Sequence, residues 1–297
     1  FKPYVYVSND KGRTWKSISN NLPEGAVYAL EQDHVNPNIL FAGTEYGVHV
    51  SLDGGQSWKP LKSGLPTINV RDMAIQEREN DLVLATFGRG FYVLDDYSAM
   101  RELTPELPEK AAHIFAITEG KMFNTWTPLG SLGSREHGFQ GEMHYSAPNP
   151  QTGVIINYYL KEGVSSLKAE RQKRESEAFK KGEAIPYPSL EEYKAEQNEP
   201  ASYLVFTIKD RTGDIVSELR SPVRKGMGQV TWDMTYMNFS TVNSRQANPG
   251  SSLGSSGIFV VPGTYTVSMS QVIKGKLTEL ISDVSFKVSN LDNQILP

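Results

Sequence analysis

The chain has 297 residues, 30 basic and 34 acidic side chains, a formal net charge of −4, 25 Gly, 17 Pro and no Cys. The absence of Cys excludes disulfides, a thiol nucleophile and thiolate metal sites, and the lack of a basic excess argues against nucleic acid as a partner. With 38% hydrophobic and 22% charged residues the chain can form packed cores over about two domains, and no run of about 18 apolar residues is present to cross a membrane as a helix.

The opening, FKPYVYVSNDKGRTW, has no initiator Met, basic n-region or apolar h-region, and strand-like alternation is already under way at Tyr4. It is expected to be a trimmed or processed piece of a longer polypeptide. A repeat follows at once. Ser8, Asp10, Gly12, Thr14 and Trp15 read S-x-D-x-G-x-T-W, and Ser51, Asp53, Gly55, Ser57 and Trp58 read S-x-D-x-G-x-S-W, 43 residues later. The flanks repeat too: Val5-Tyr6-Val7 matches Val48-His49-Val50, and Asn21-Leu22-Pro23 matches Gly64-Leu65-Pro66. The spacing fits one four-stranded propeller blade. In each copy the Gly supplies φ > 0 for a tight turn, and the carboxylate accepts backbone N–H groups. The Trp is expected to return into the space between neighbouring blades. Asp10 and Asp53 are read as turn-forming groups rather than as ligands for a metal. A third unit runs from Val70 to Leu94, where Asp95-Asp96-Tyr97 stands in place of the motif and the repeat decays.

These motifs are those of the Asp-box, the bacterial-neuraminidase-type repeat. With LATFGRGFYVLDD following PNILFAGTEYGVHVSLDGGQSW, the first 104 residues resemble the end of the propeller in sortilin-type and xyloglucanase-like proteins, above all the large exported bacterial members. The resemblance implies an incomplete ring, because propellers close with typically 4–8 blades or more and this chain supplies about two and a half. The remaining blades are expected as another chain or as a segment N-terminal to Phe1. It also implies an exported location, whether periplasmic, cell-surface or extracellular.

Residues 105–149 are rich in Pro, Gly and Ser and are expected to be a mostly irregular connector packed on the next domain, with Ile114, Phe115, Phe123, Trp126 and Phe139 needing cover. Over 150–290, strand patterns at Val154–Leu160, Tyr203–Lys209, Ile215–Leu219, Gly228–Trp232, Gly263–Met269 and Leu277–Val288 predict an antiparallel β-sandwich. The series IKDRTGDIV, GMGQVTWDM and VPGTYTVSM resembles the Ig-like domain of flagellar hook-capping proteins. Trp232 is read as a core residue rather than a sugar platform, and Tyr265 as packing or a polar tip at a sandwich corner. An insertion at 165–198 predicts two helices, one over 167–182 stopped by Gly182 and one opened by the capping box Ser189-Leu190-Glu191-Glu192. Segment 161–199 holds 8 basic and 9 acidic residues; it is read as a solvated excursion, with a docking element as the sharper alternative. Asn243–Ile258 reads as a long Gly/Ser-rich loop, and 291–297 as a tail. The fold class expected is therefore all-β: terminal propeller blades, then an Ig-like sandwich with a short helical insertion.

Chemistry is sparse. Glycosidases place two carboxylates about 5–10 Å apart; Asp95 and Asp96, adjacent on a strand, point to opposite faces, and Glu45 with Asp72 is the better pair. Arg71, Arg89 and Tyr46 are too few for a sialidase site. His34, His49, His113, His137 and His144 show no ligand spacing, Gly88-Arg89-Gly90 opens no helix, and no nucleophilic Ser sits in G-x-S-x-G. No catalytic residue, metal or cofactor is assigned. The resemblance places a rim at Glu45, Tyr46, Thr67, Asn69, Arg71, Asp72, Phe87 and Arg89, whose aromatic and guanidinium groups suit a glycan or a protein ligand. The expected role is binding or scaffolding at the bacterial cell envelope. The alternative is part of a glycoside hydrolase whose acids lie in blades outside this chain.

Overall fold

A computed structural model describes residues 2–62, 64–123, 151–185, 187–237 and 258–291. The described residues are all-β apart from one helical excursion and two short 3-10 turns, and the chain divides into two compact units, Phe1–Leu107 and Pro108–Pro297.

The first unit contains three antiparallel sheets. Strands β1 (Tyr6–Val7) and β2 (Lys16–Ser17) form a pair. Strands β3 (Val27–Gln32), β4 (Leu40–Thr44), β5 (Gly47–Ser51) and β6 (Lys59–Leu61) form a four-stranded meander. Strands β7 (Val70–Gln76), β8 (Asp81–Thr86) and β9 (Phe91–Leu94) form a three-stranded one. The middle sheet is covered on both faces. On one side Leu40, Ala42 and Trp58 pack with Val5, Ile18 and Leu22 of the first pair. On the other, Phe41, Val48 and Val50 pack with Val70, Met73, Leu82 and Leu84 of the third sheet. Burial on both faces is why β4 reads as a continuous apolar run instead of alternating.

The 43-residue repeat is carried into hydrogen-bond detail. Ser8 Oγ donates to Asp10 Oδ1 at 2.9 Å and accepts the Gly12 N–H at 2.7 Å; Asp10 accepts the N–H and hydroxyl of Thr14 at 2.8 and 2.7 Å. Ser51, Asp53, Gly55 and Ser57 make the same four bonds. The bulge in the β3–β4 ladder falls between Val27 and Ala29, and that in β7–β8 falls between Val70 and Asp72, one period later. Thr44 Oγ1 donates to the Gly47 carbonyl, as Thr86 Oγ1 does to that of Gly90.

The tryptophans differ, which corrects the expectation that both are buried between units. Trp58 is 2% exposed and its Nε1 donates to the Ile18 carbonyl of the preceding strand pair at 2.7 Å. Trp15 is 64% exposed and its Nε1 donates to Gly12 of its own turn. Among the described residues no sheet precedes β1 and β2 for Trp15 to enter. The same asymmetry marks the far side. Val48 and Val50 are 1% and 9% exposed, whereas Phe91 and Val93, which hold the equivalent positions on β9, are 76% and 52% exposed.

In the second unit, β10 (Ala112–Ile114), β12 (Val154–Leu160) and β15 (Gly226–Trp232) form one sheet. Strands β11 (Gly120–Met122), β13 (Tyr203–Lys209), β14 (Ile215–Pro222), β16 (Gly263–Ile273) and β17 (Lys276–Asn290) form the other, in the order β11-β17-β16-β13-β14. One core unites the two sheets: Ile156, Tyr158 and Trp232 from the first meet Phe206, Met269 and Phe286 from the second. Trp232 is fully buried and makes edge-on ring contacts to Tyr265 and Phe286 at 5.3 and 6.0 Å. Tyr265 is both packing and polar tip: its ring is buried and its hydroxyl donates to the Val261 carbonyl at 2.5 Å. Part of the stretch read as irregular, 105–123, supplies β10 and β11, three residues each and too short to alternate visibly. Trp126, Phe139, His137, His144 and Asn243–Gly257 lie outside the described residues. Strand β17 runs from Lys276 to Asn290 with shifts in register against β16 between Val267 and Ser270.

The insertion forms α1 (Leu167–Lys181) and α2 (Leu190–Gln197). Ser166 caps α1, Gly182 ends it at φ 73°, and the Ser189–Glu192 capping box is complete in both directions. Arg171 ties the helices, donating to Glu196 on α2 at 2.6 Å and to Glu175 on its own helix at 2.7 Å. Neither helix buries a residue.

Candidate functional site

The candidate site is built at the two bulges. A β-bulge leaves one residue unpaired and re-aims its side chain. In β3 that residue is Tyr28, and in β7 it is Arg71, 43 positions on. The two meet: the Arg71 guanidinium carbon lies 4.2 Å from the Tyr28 ring centroid and 5.3 Å from that of Phe87. Tyr28 Oη donates to Glu45 Oε1 at 3.1 Å. Glu45 and Tyr46 pack over Gly25, whose φ of +130° strains any residue with a side chain. The result is a fixed row of carboxylate, phenol and guanidinium beside the largely exposed rings of Tyr46 and Phe87.

Of the rim residues read from sequence, Glu45, Tyr46, Arg71 and Phe87 therefore come together. Asn69 contributes its backbone carbonyl, which accepts the Phe87 N–H at 2.9 Å, while its side-chain Oδ1 is buried and has no hydrogen-bond partner among the described residues. Arg89 is exposed and outside this cluster. Thr67 lines an adjoining cleft of about 590 Å³ with Tyr46, Gly47, His49 and Lys62. Burial and the Lys62 charge lower the pKa of His49 and favour its neutral form. Asp72 is exposed, and its Oδ1 accepts its own chain's Met73 N–H. The carboxylate that senses Asp72 is Glu31, raised by burial first and then by Asp72; Glu45 is instead bonded to Tyr28.

Two further carboxylates need correcting. Asp95 and Asp96 lie past the end of β9, not within a strand. Asp96 takes a left-handed φ of 38° and caps the 3-10 helix Tyr97–Glu102 through the Ser98 N–H. Asp95 is raised by burial and by Asp81.

The charged residue that sequence reasoning missed is Asp33. Its side chain is fully buried at the end of β3 and accepts Tyr97 Oη at 2.7 Å, Arg101 Nη2 and Nε at 2.7 and 2.8 Å, and the Asn36 N–H at 2.8 Å. Burial opposes its ionisation, yet the Arg101 and Tyr97 hydrogen bonds outweigh that and hold the carboxyl well below the usual range. Tyr97 stacks edge-on against Phe41 at 5.1 Å. It does for the third sheet what Trp58 does for the second: an aromatic after the sheet's third strand reaches back to the preceding sheet. The buried Asp33 carboxylate, with its four hydrogen bonds, is read as a structural brace.

Among the described residues, no three His, Asp or Glu side chains come together as metal ligands, and no helix is long and apolar enough to cross a membrane. No family model and no curated protein matches the chain. Three solved structures are similar to it at low scores. They are the extracellular domain of a putative one-component system from B. thetaiotaomicron (11% identity, TM-score 0.26), PorZ, a surface component of the type-IX secretion system of Porphyromonas gingivalis (16%, 0.22), and dimeric latent PorU of the same organism (11%, 0.21). The matches cover 98%, 93% and 98% of this chain but 29%, 31% and 29% of those. Scores this low assign neither fold nor role, and both rest on the chain's own residues.

Proposed function

We propose that residues 1–107 are an arc of an Asp-box β-propeller, and that the chain is the non-catalytic binding and scaffolding portion of an exported bacterial envelope protein. The supporting observation is the contrast between equivalent positions. Trp58, Val48 and Val50 are buried where a neighbouring sheet covers them, while Trp15, Phe91 and Val93 lie open at the two ends of the stack. A middle blade covered on both faces between two half-covered ones is what a segment of a ring presents. The second unit is proposed to be Ig-like, with the Trp232 and Tyr265 contacts as its support.

The ligand proposed for the rim is a glycan. Exposed aromatic faces beside an oriented guanidinium and carboxylate provide stacking and paired hydrogen bonds, the combination that sugar rings use. The test is binding of the 297-residue chain to a glycan array, followed by titration of the best ligand against the Arg71→Ala and Phe87→Ala variants. Each variant is expected to weaken binding at least about tenfold, or about 1.4 kcal/mol, with the thermal midpoint unchanged. Binding untouched by either substitution contradicts the site. Selective binding to peptides on a parallel array would make the ligand a polypeptide. Turnover of a bound glycan by the intact protein would favour the hydrolase alternative, with acids in other blades.

A further inference from the structure

We infer that the cleft beside Tyr46 is a second subsite of the candidate site, and that it takes the charged unit of an acidic glycan, a sugar ring bearing a carboxylate or a sulfate. The inference rests on the proposed glycan reading and goes beyond it by naming the charge of the ligand and the residues that read it. The signal is where the repeat departs from itself. Positions that serve the fold recur: Val48, Val50, Trp58, Leu65 and Pro66 stand 43 residues after Val5, Val7, Trp15, Leu22 and Pro23. Two positions do not. The ladder registers set His49 opposite Ala42 and Tyr92 opposite Leu84, so Tyr92 is the counterpart of His49 in the third sheet, and Tyr6 is its counterpart in the first. Of the three, the middle sheet alone has an imidazole there. Lys62 stands where the first pair has Ser19, which is buried and accepts the Val5 N–H at 2.8 Å. A lysine cannot accept that bond, and Lys62 is exposed instead.

Both departures line the same cleft of about 590 Å³. Leu65 and Pro66 give it apolar walls, and none of the described residues around it is acidic. Lys62 forms no ion pair and no hydrogen bond with the described residues. His49 is 9% exposed, and its Nδ1 is buried with no hydrogen-bond partner among the described residues. An unpaired buried nitrogen costs the fold stability, which points to a task other than packing. Burial first and the Lys62 charge second favour the neutral imidazole, so the full positive charge at the cleft is that of Lys62. The exposed Tyr46 ring belongs both to the cleft and to the row formed by Glu45, Tyr28 and Arg71. Glu45 in that row is held by the Tyr28 hydroxyl at 3.1 Å. A ligand that stacks on Tyr46 is therefore in reach of both. An anionic group on it gains a charge-assisted hydrogen bond from Lys62, which an uncharged sugar cannot match.

The test uses the 297-residue chain and a panel of uronate-bearing and sulfated oligosaccharides, each beside its carboxyl-reduced or desulfated form. Titrations compare the parent with Lys62→Ser, which restores the serine of the first copy, with Lys62→Glu, with His49→Tyr, which restores the tyrosine of the neighbouring sheets, and with Arg71→Ala. Thermal midpoints check the fold, and the exposed Lys62 gives variants that report even where His49→Tyr does not fold. The parent is expected to bind the best acidic member at least about tenfold more tightly than its uncharged form. Lys62→Ser is expected to erase that preference and Lys62→Glu to reverse it, with affinity for the uncharged form kept within about twofold. Folded His49→Tyr is expected to weaken the acidic member more than its partner; equal weakening of the two returns His49 to packing. Preference among the uronates alone or the sulfated members alone supports the subsite and identifies its anion. Equal binding of both members of every pair, or a preference that survives Lys62→Ser, overturns the subsite, and the candidate site stands if Arg71→Ala still weakens binding. Preference lost in Lys62→Ser while Arg71→Ala changes nothing overturns the row and leaves the cleft. An oligoglutamate of equal charge that displaces the best glycan at the same concentration overturns the sugar as ligand. Binding to no member of the panel overturns both readings.

Discussion

At the scale of single residues, stability in the first unit is concentrated in groups that reach back to the preceding sheet. Trp58→Ala removes a buried indole and its bond to Ile18, a loss of about 3–5 kcal/mol, whereas Trp15→Ala is expected to change stability by less than about 0.5 kcal/mol; chemical denaturation of the two variants checks the contrast. Asp33→Asn leaves Arg101 without its buried counter-charge and is expected to cost about 3 kcal/mol. The sign of the pH dependence follows. The folded carboxyl is held below its unfolded value, so its stabilisation is full at neutral pH, begins to fade below about pH 4 and is lost as pH falls through the folded value. Denaturation midpoints measured from pH 7 to pH 2 should fall more steeply in the parent than in the Asn variant. This network was not legible in the sequence. Asp33 and Arg101 are 68 positions apart, neither belongs to a motif, and only the chain's return after β9 brings them together.

At the scale of elements, the turns are self-contained and the contacts between repeats are not. The bonds of the S-x-D-x-G-x-[ST]-W turns are all local, so eight residues declare them. Asp10 is held down to about 2 by the hydroxyl and N–H of Thr14. The next level is a clip: Asn20 Nδ2 donates to the Gly55 and Gln56 carbonyls, and Asn21 exchanges two hydrogen bonds of 2.8 Å with the Trp58 backbone. Ser63 and Gly64 occupy the corresponding positions one period later, where the S-x-D-x-G-x-[ST]-W motif does not recur. Asn21→Ala strands a backbone N–H and carbonyl and is expected to cost about 1–3 kcal/mol by denaturant titration. The same logic applies to α1 and α2, whose caps were legible because capping is local, and whose lack of buried residues followed from a thin apolar stripe. Deleting 165–198 is expected to move the thermal midpoint by no more than about 2 °C; a docking role would appear instead as lost assembly in pull-downs of the intact complex. Long strands such as Val154–Leu160 and Tyr203–Lys209 are legible to the residue as apolar, β-branched and aromatic runs bounded by polar or turn residues, and burial alternates along both in the structure. The three-residue strands β10 and β11 carry no such pattern. The rim was half legible: Arg71 and Phe87 were placed there by resemblance, but Tyr28 emerges only when the bulge is aligned across the repeat.

At the scale of the whole molecule, the account depends on surfaces that are apolar for a reason. A stack of sheets with a buried middle and open ends gains stability from each further neighbour, and its end faces are adhesive until they are covered. The proposed envelope role rests on these open ends, whereas the proposed glycan site rests on the Tyr28, Arg71 and Phe87 cluster. The most direct measurement is oxidative footprinting of Trp15, Tyr6, Phe91 and Trp58 in the isolated 297-residue chain and in the intact assembly from the producing cell. The account requires Trp15, Tyr6 and Phe91 to be modified readily in the isolated chain and shielded in the assembly, with Trp58 shielded in both. Equal modification of the first three in the two preparations would mean that nothing covers these faces, and the arc would be a finished surface.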